Sequence, residues 1–199
     1  MLSYKDSLKI LKETNALLDG HFILSSGLRS PQYVQCAQLL SKPYKAEKFC
    51  NSLAEKIVKE FKNIDLILSP AMGGIVIGYE LGRILKKETI FSERVNKKFE
   101  LRRGFQILKG SNVLIVEDVI TTGKSCLECS ELVKASEGSL LGFACLIDRS
   151  NGKSKISKKI ISQVQINIPT YNERGLPANL ISIPATKPGS RDIKWAKQD

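Results

Sequence analysis

Between positions 113 and 125 the chain changes character three times, and few folds accommodate that sequence of changes. Val113, Leu114, Ile115 and Val116 form a run with no polar face, as a central strand covered on both sides requires. Glu117 and Asp118 then bring two adjacent carboxylates to the carboxyl end of that strand, the edge at which open α/β sheets bind ligands. After Val119 and Ile120 come Thr121, Thr122, Gly123, Lys124 and Ser125, whose backbone N–H groups and hydroxyls can wrap an anion at the mouth of the next helix. The carboxylate pair suits ribose hydroxyls and a hydrated Mg²⁺, and the loop suits a phosphate, so the natural ligand is a sugar phosphate. The ATP-binding P-loop also ends in Gly-Lys-Ser, but Asp118 stands where its first glycine belongs, and a charged side chain there opposes a phosphate.

The rest of the chain supplies strands and helices in alternation. Ala46, Phe49, Cys50, Leu53, Ala54, Ile57, Val58 and Phe61 recur at three and four residues, which predicts an amphipathic helix over 42–61 with Pro43 in its first turn. A shorter helix over 4–18, capped by Ser3, is expected before it. Residues 21–36 read as a hairpin whose two short strand-like runs flank a turn with Ser26, Gly27, Ser30 and Pro31, either a surface feature or a hood over a ligand. Leu66, Ile67, Leu68 and Ser69 form a strand followed by Pro70, Ala71, Met72, Gly73 and Gly74, where backbone amides can approach an anion closely. Gly74, Gly78 and Gly82 mark a helix face packed tightly on a neighbour. A third strand over 89–91 leads into 92–104, where Arg94, Lys97, Lys98, Arg102 and Arg103 outnumber Glu93 and Glu100. That segment reads as a mobile basic loop closing on a leaving anion, or as a solvated connection or hairpin. A helix over 123–135 precedes another buried strand, which ends in Asp148, Arg149 and Ser150.

At 199 residues, with 42% hydrophobic and 26% charged residues, one α/β domain is expected: a helix and hood over about 1–40, a core over about 41–150, and C-terminal strands and a tail over about 151–199. No apolar run approaches a membrane span and the first residues lack a leader's apolar core, so a cytoplasmic location without membrane attachment is the expectation. Cys126 and Cys129 fall on the helix after the phosphate loop, and His21 is the only histidine, so buried packing is expected there and no metal site on protein thiolates. The net charge of +11 fits attraction of a polyanionic small substrate. Nucleic-acid binding would rest on that charge alone, since no aromatic–basic alternation accompanies it. Lys153, Lys155, Lys158 and Lys159 read as a solvated loop or edge.

The stretch 113–125 resembles the phosphoribosyl-pyrophosphate (PRPP) signature of the type I phosphoribosyltransferases. Phe22-x-Leu24-x-Ser26-Gly27-x-x-Ser30-Pro31-x-Tyr33 resembles the hood of the orotate phosphoribosyltransferases, and Leu101-Arg102-Arg103-Gly104-Phe105 and Lys187-Pro188-Gly189-Ser190-Arg191 resemble a variant form of them. The resemblance implies the type I fold, a mainly parallel five-stranded sheet with helices on both faces and a small hood. It also implies Mg-dependent transfer of phosphoribosyl from PRPP to orotate, with Mg²⁺ held mainly by the substrate and no protein metal site. A homodimer is implied too, with the 92–104 loop contributed across the interface. Carried onto this chain, the catalytic residues are Lys97, Arg94 and Asp118, with Lys98 and Arg102 as rivals to the two cations. PRPP falls to Glu117, Asp118, Val119, Ile120, Thr121, Thr122, Gly123, Lys124 and Ser125. Ala71, Met72, Gly73 and Gly74 form the pyrophosphate loop, and orotate falls to Thr121, Arg149, Tyr33 and Val34. Ser25 stands at the family's lysine position, so no lysine role transfers there, and Leu176-Pro177-Ala178-Asn179 replaces the Cys-Pro-x-Cys of some members. The alternatives are a purine or other nucleobase phosphoribosyltransferase, in which Arg149 has no carboxylate to meet, and a PRPP-sensing nucleic-acid-binding regulator.

Overall fold

The structure is a computed structural model and describes residues 1–24 and 26–188. Ser25 and the Gly189, Ser190 and Arg191 of the tail motif lie outside the described residues. The first helix, α1 (Tyr4–Glu13), is capped by Ser3, whose hydroxyl accepts from the Asp6 N–H. It ends short of the expected 18 because Asn15 turns left-handed, at φ 59°, and leads the chain into β1 (Leu17–Ile23). β1 pairs antiparallel with β2 (Arg29–Val34), which makes the expected hood a separate two-stranded sheet. A short α2 (Cys36–Leu40) precedes α3 (Pro43–Glu60), which begins at Pro43 and buries Phe49, Leu53 and Ile57 completely, as the periodicity predicts.

The main sheet is built from β3 (Leu66–Pro70), β4 (Glu88–Val95), β5 (Lys98–Leu101), β6 (Asn112–Ile120), β7 (Ser139–Asp148) and β8 (Ile160–Gln165), in the order β5-β4-β3-β6-β7-β8. All neighbours are parallel except β4 and β5. The sheet therefore has six strands rather than the expected five. The added strand β5 comes from 92–104, which takes the hairpin alternative of its sequence rather than the mobile loop and turns through Asn96 and Lys97, both with positive φ (48° and 69°) as a type I′ turn requires.

Alternation along the central strands feeds two cores. Ile67, Leu114 and Val116 pack with Phe49, Leu53, Ile77 and Leu81 of α3 and α4 (Gly73–Leu85), while Leu68, Val113 and Ile115 pack with Cys126, Cys129 and Val133 of α5 (Lys124–Ala135). All five cysteines are free and buried, so Cys126 and Cys129 serve packing. Strand order reverses between β3 and β6, and pairing of these two stops at Leu68 with Ile115, whereas β6 and β7 stay paired to Ile120 with Asp148. The end of β6 thus stands clear of β3, which opens a crevice at the carboxyl edge. The C-terminal segment, for which the sequence offered no role, lies against the hood. Arg29 and Tyr171 exchange backbone hydrogen bonds, Ile23 N–H donates to the Thr186 carbonyl, and Thr186 N–H donates to that of His21. The last described helix, α6 (Ala178–Ile181), lies within this strap.

The glycine stripe of α4 has the close contact its spacing predicts: a Cβ at Gly78 would fall 2.1 Å from Ser69 Oγ and 3.0 Å from Ser69 Cβ. Gly78→Val should therefore destabilise the fold by about 2–3 kcal/mol through overpacking against β3. Urea denaturation measures it, and an unchanged midpoint would mean that α4 does not depend on this approach.

Candidate active site

Three chain segments converge on the crevice beside the end of β6. The first is β6 itself, which delivers Glu117 and Asp118 to opposite faces of the strand. Glu117 is 9% exposed and, with residues 119–126, lines a cavity of about 70 Å³. Asp118 faces the other way, toward the turn after β3: a Cβ at Gly73 would meet its Oδ1 at 2.8 Å. Only a glycine lets the 71–74 turn, with its cis Ala71–Met72 peptide, lie this close to the carboxylate. The expected pyrophosphate loop and the acidic pair are therefore neighbours.

The second segment is the loop into α5. Gly123 caps the helix at φ 77°, a conformation natural to glycine, and a Cβ there would lie 2.7 Å from Ile156. The loop is buttressed from behind, since Lys155 N–H donates to the Thr122 carbonyl at 3.3 Å. Thr121, Thr122 and Lys124 stay exposed, Ser125 is half-buried, and the open N–H groups of the first α5 turn face the same cavity as Glu117. Lys153, Lys155, Lys158 and Lys159 are exposed, as expected of a solvated loop, and between them Ser154 and Ile156 support the phosphate loop, so the run adds positive charge beside it.

The acidic pair is an unbalanced charge. Among the described residues neither carboxylate has an ion pair; each accepts from a backbone N–H, Asp118 N–H donating to Glu117 Oε1 at 3.1 Å and Val119 N–H to Asp118 Oδ1 at 2.8 Å, and the two carboxyls also interact with each other. Burial, with the Asp118 charge adding to it, pushes the Glu117 carboxyl up to about 8. Burial likewise raises Asp118. Such a pair fits ribose hydroxyls or the water shell of a divalent cation. Among the described residues no three His, Cys, Asp or Glu side chains are grouped to hold an ion, so a cation here would draw its remaining ligands from a phosphorylated ligand.

The third segment is the hood. The first residue of α2, Cys36, reaches the Asp118 carbonyl with Sγ at 3.8 Å and ties the hood's end to β6. Tyr33 packs on Phe22, with ring centroids 5.7 Å apart, and its hydroxyl is raised by burial while feeling the charges of Arg149 and Asp118. Val34 lies on the opposite face of β2, buried in the main core, so of the two residues singled out only Tyr33 faces the crevice. Arg149 is the notable cation. Burial lowers its pKa, its Nε is buried without a hydrogen-bond partner, and it has no ion pair among the described residues. A structural salt bridge to Asp148 does not form, because the Asp148 oxygens accept from Ser150 N–H at 2.8 Å and Gln165 Nε2 at 3.4 Å.

The β4–β5 hairpin projects from the same edge of the sheet, beyond Ser92, which pairs with Pro70 at the end of β3. Arg94 does not stand free there: its Nη2 donates to Glu128 Oε2 at 2.5 Å, its Nη1 donates to the Lys97 carbonyl at 2.6 Å, and it lies 4.1 Å over the Phe99 ring. Arg102 and Arg103 are committed to Glu93. Lys97 and Lys98 are exposed and without ion pairs among the described residues. Sequence reasoning missed Glu128 and Arg29. Glu128 is a surface residue of an ordinary helix until the hairpin folds onto it, and Arg29 pairs with Glu173, far away in sequence.

Comparison with known proteins accords with this geometry. The family model "Phosphoribosyl transferase domain" matches residues 38–175. An orotate phosphoribosyltransferase of Parvibaculum lavamentivorans is 48% identical over 192 residues, spanning 94% of this chain and 99% of that protein. One of Methylorubrum extorquens is 48% identical over 190 residues, spanning 95% and 97%. The crystal structure of orotate phosphoribosyltransferase from Aeropyrum pernix superposes with a TM-score of 0.71 at 25% identity, covering 79% of this chain and 92% of that one.

The raised Glu117 carboxyl gives a pH signature. Folding raises its pKa, so the native state holds the proton more tightly than the unfolded chain. The associated stabilisation is present below the ordinary value of 4.5 and is lost as pH climbs through about 8. The melting temperature of the ligand-free protein should fall between about pH 5 and about pH 8.5, and Glu117→Gln should remove most of that slope. Equal slopes for the two proteins in scanning fluorimetry would show that this carboxyl is not the source.

Proposed function

This chain belongs to the phosphoribosyltransferase family, in the orotate branch to which its 48%-identical relatives belong, and from that premise we propose that it transfers the 5-phosphoribosyl group of PRPP to orotate, giving orotidine 5′-phosphate and pyrophosphate. The observation that carries the choice of orotate is Arg149, a half-buried guanidinium near Tyr33 whose Nε is buried without a hydrogen-bond partner and which has no carboxylate of its own among the described residues. A planar base bearing a carboxylate satisfies both: the guanidinium takes the carboxylate in a two-pronged hydrogen bond and the phenol ring covers the base. A purine would leave that cation unpaired.

In this reading the 5′-phosphate rests on the N–H groups and hydroxyls of residues 121–125, at the positive end of α5. Glu117 and Asp118 hold the ribose hydroxyls. When pyrophosphate leaves C1, positive charge grows on the sugar, and two carboxylates fixed beside it stabilise that charge without reorganising. The leaving pyrophosphate is received by the backbone of the 71–74 turn, brought against Asp118 by Gly73, and by the exposed Lys97 at the hairpin tip. Glu117 and Asp118 would accept from the water shell of a Mg²⁺ held mainly by substrate oxygens, and that ion would supply charge neutralisation on the pyrophosphate. The orotate ring nitrogen then bonds to C1 in place of the pyrophosphate oxygen, and its proton passes to the departing pyrophosphate. A homodimer in the cytoplasm belongs to the same reading. Its support is the stripe Met72, Val76 and Tyr79, exposed at 83%, 51% and 70% along one side of α4 next to the pyrophosphate turn, and the hairpin that projects from the rim. Among the described residues no helix is long and apolar enough to cross a membrane.

Incubation with PRPP, Mg²⁺ and each of orotate, adenine, hypoxanthine and uracil should consume orotate alone, followed by the loss of its ultraviolet band. Arg149→Ala should raise KM for orotate by roughly tenfold or more, the worth of a hydrogen-bonded charge, while KM for PRPP stays within about twofold. Turnover of a purine in place of orotate, or equal effects on both constants, would refute the reading.

A further inference from the structure

The cations of the hairpin are not equivalent, and their partners sort them. Arg94 has both terminal nitrogens and one face of its guanidinium engaged, by Glu128 at 2.5 Å, the Lys97 carbonyl at 2.6 Å and the Phe99 ring at 4.1 Å. Phe99 is itself only 7% exposed and sits in the core beneath α5. Taking Arg94 to a pyrophosphate would break all three contacts. Its Nη1 contact falls on the residue that makes the turn: Lys97 has φ 69°, and its carbonyl is fixed by the bond. Glu128 lies one turn beyond Lys124 on the helix that follows the phosphate loop, and also stands 3.9 Å from the Lys124 ammonium. A carboxylate on the helix that carries the phosphate loop is thus joined through one guanidinium to the backbone of the hairpin tip.

We propose that Glu128 is a positioning residue for phosphoribosyl transfer: through Arg94 it holds the β4–β5 tip so that Lys97, not Arg94, meets the departing pyrophosphate. The anchorage lies within one chain, so it sets the tip whichever protomer's site that tip serves. A type I′ turn of Asn-Lys lacks the glycine that favours such turns, and the external hold on the Lys97 carbonyl compensates for this. The partly exposed Arg94–Glu128 pair adds little to global stability. Its effect is local, on where the Lys97 ammonium spends its time.

The role assigned to Lys97 rests on the transfer reading, whereas the anchorage does not, so two measurements separate them. Limited trypsin cleavage after Lys97 and Lys98 should be about tenfold faster in Glu128→Gln than in the unaltered protein, because the tip opens locally more often, with the melting temperature nearly unchanged. In turnover with PRPP and orotate, Glu128→Gln should lower kcat about tenfold and leave KM for PRPP within about twofold; in a Lys97→Ala background the same substitution should cost nothing further. Unchanged cleavage would overturn the anchorage. An equal loss of kcat with and without Lys97 would overturn its action through that residue. Lack of turnover by the unaltered protein would count against the transfer reading and against the role of Lys97, and the cleavage comparison would still decide the anchorage.

Discussion

Two like charges on consecutive residues of a buried strand, Glu117 and Asp118, are the constraint around which this molecule is arranged. The Asp118 charge adds to the cost of ionising Glu117, and among the described residues neither carboxylate has an ion pair. Burial then drives the Glu117 carboxyl up to about 8 and raises Asp118. The fold tolerates this because β6 outruns its pairing with β3 and leaves both groups at the lip of a crevice, where a ligand can reach them. On the Asp118 side, Gly73 admits the turn after β3; on the Glu117 side, Gly123 and the N–H groups of α5 face the same small cavity. Hydrogen-bond acceptors for sugar hydroxyls and donors for phosphate oxygens are thereby set side by side on rigid elements.

The hood and the C-terminal strap complete the site from above. The hood is a two-stranded sheet, which has little stability alone. Tyr171 and Thr186 pair with its edges, the Arg29–Glu173 ion pair adds a side-chain tie, and His21 Nδ1 lies 3.0 Å from the Ile183 carbonyl. Tyr33, which feels the Arg149 charge, is in this way held in place by contacts from opposite ends of the chain. The backbone pairing that stabilises the rim therefore also fixes the strand that carries Tyr33.

Much of this was legible in the sequence, and the reasons differ by element. The 113–125 stretch revealed strand, acids and phosphate loop together because each has its own physical signature. Helix α3 was read from period, and the glycine stripe of α4 from spacing, where Ser69 leaves no room for a Cβ. For 92–104 the sequence left a mobile loop and a hairpin both open, because charges dominate the segment and the turn uses Asn96 and Lys97 rather than Asn-Gly; alternation of Phe99 and Leu101 with Lys98 and Glu100 favours the hairpin that forms. The pairing of the tail with the hood had no signal, since it is backbone bonding between distant segments. The choice among Arg94, Lys97, Lys98 and Arg102 was equally invisible, because it depends on Glu93 and Glu128 arriving in space.

The central claim is that the acidic pair is held partly protonated until a ligand brings compensating groups to it. Calorimetric titration with PRPP and Mg²⁺ near pH 7.5, in buffers of different ionisation enthalpy, counts the protons released on binding. Protons from PRPP itself cancel when the unaltered protein is compared with Glu117→Gln. The account predicts that the unaltered protein releases more, by close to one proton. The same count for both proteins would contradict it.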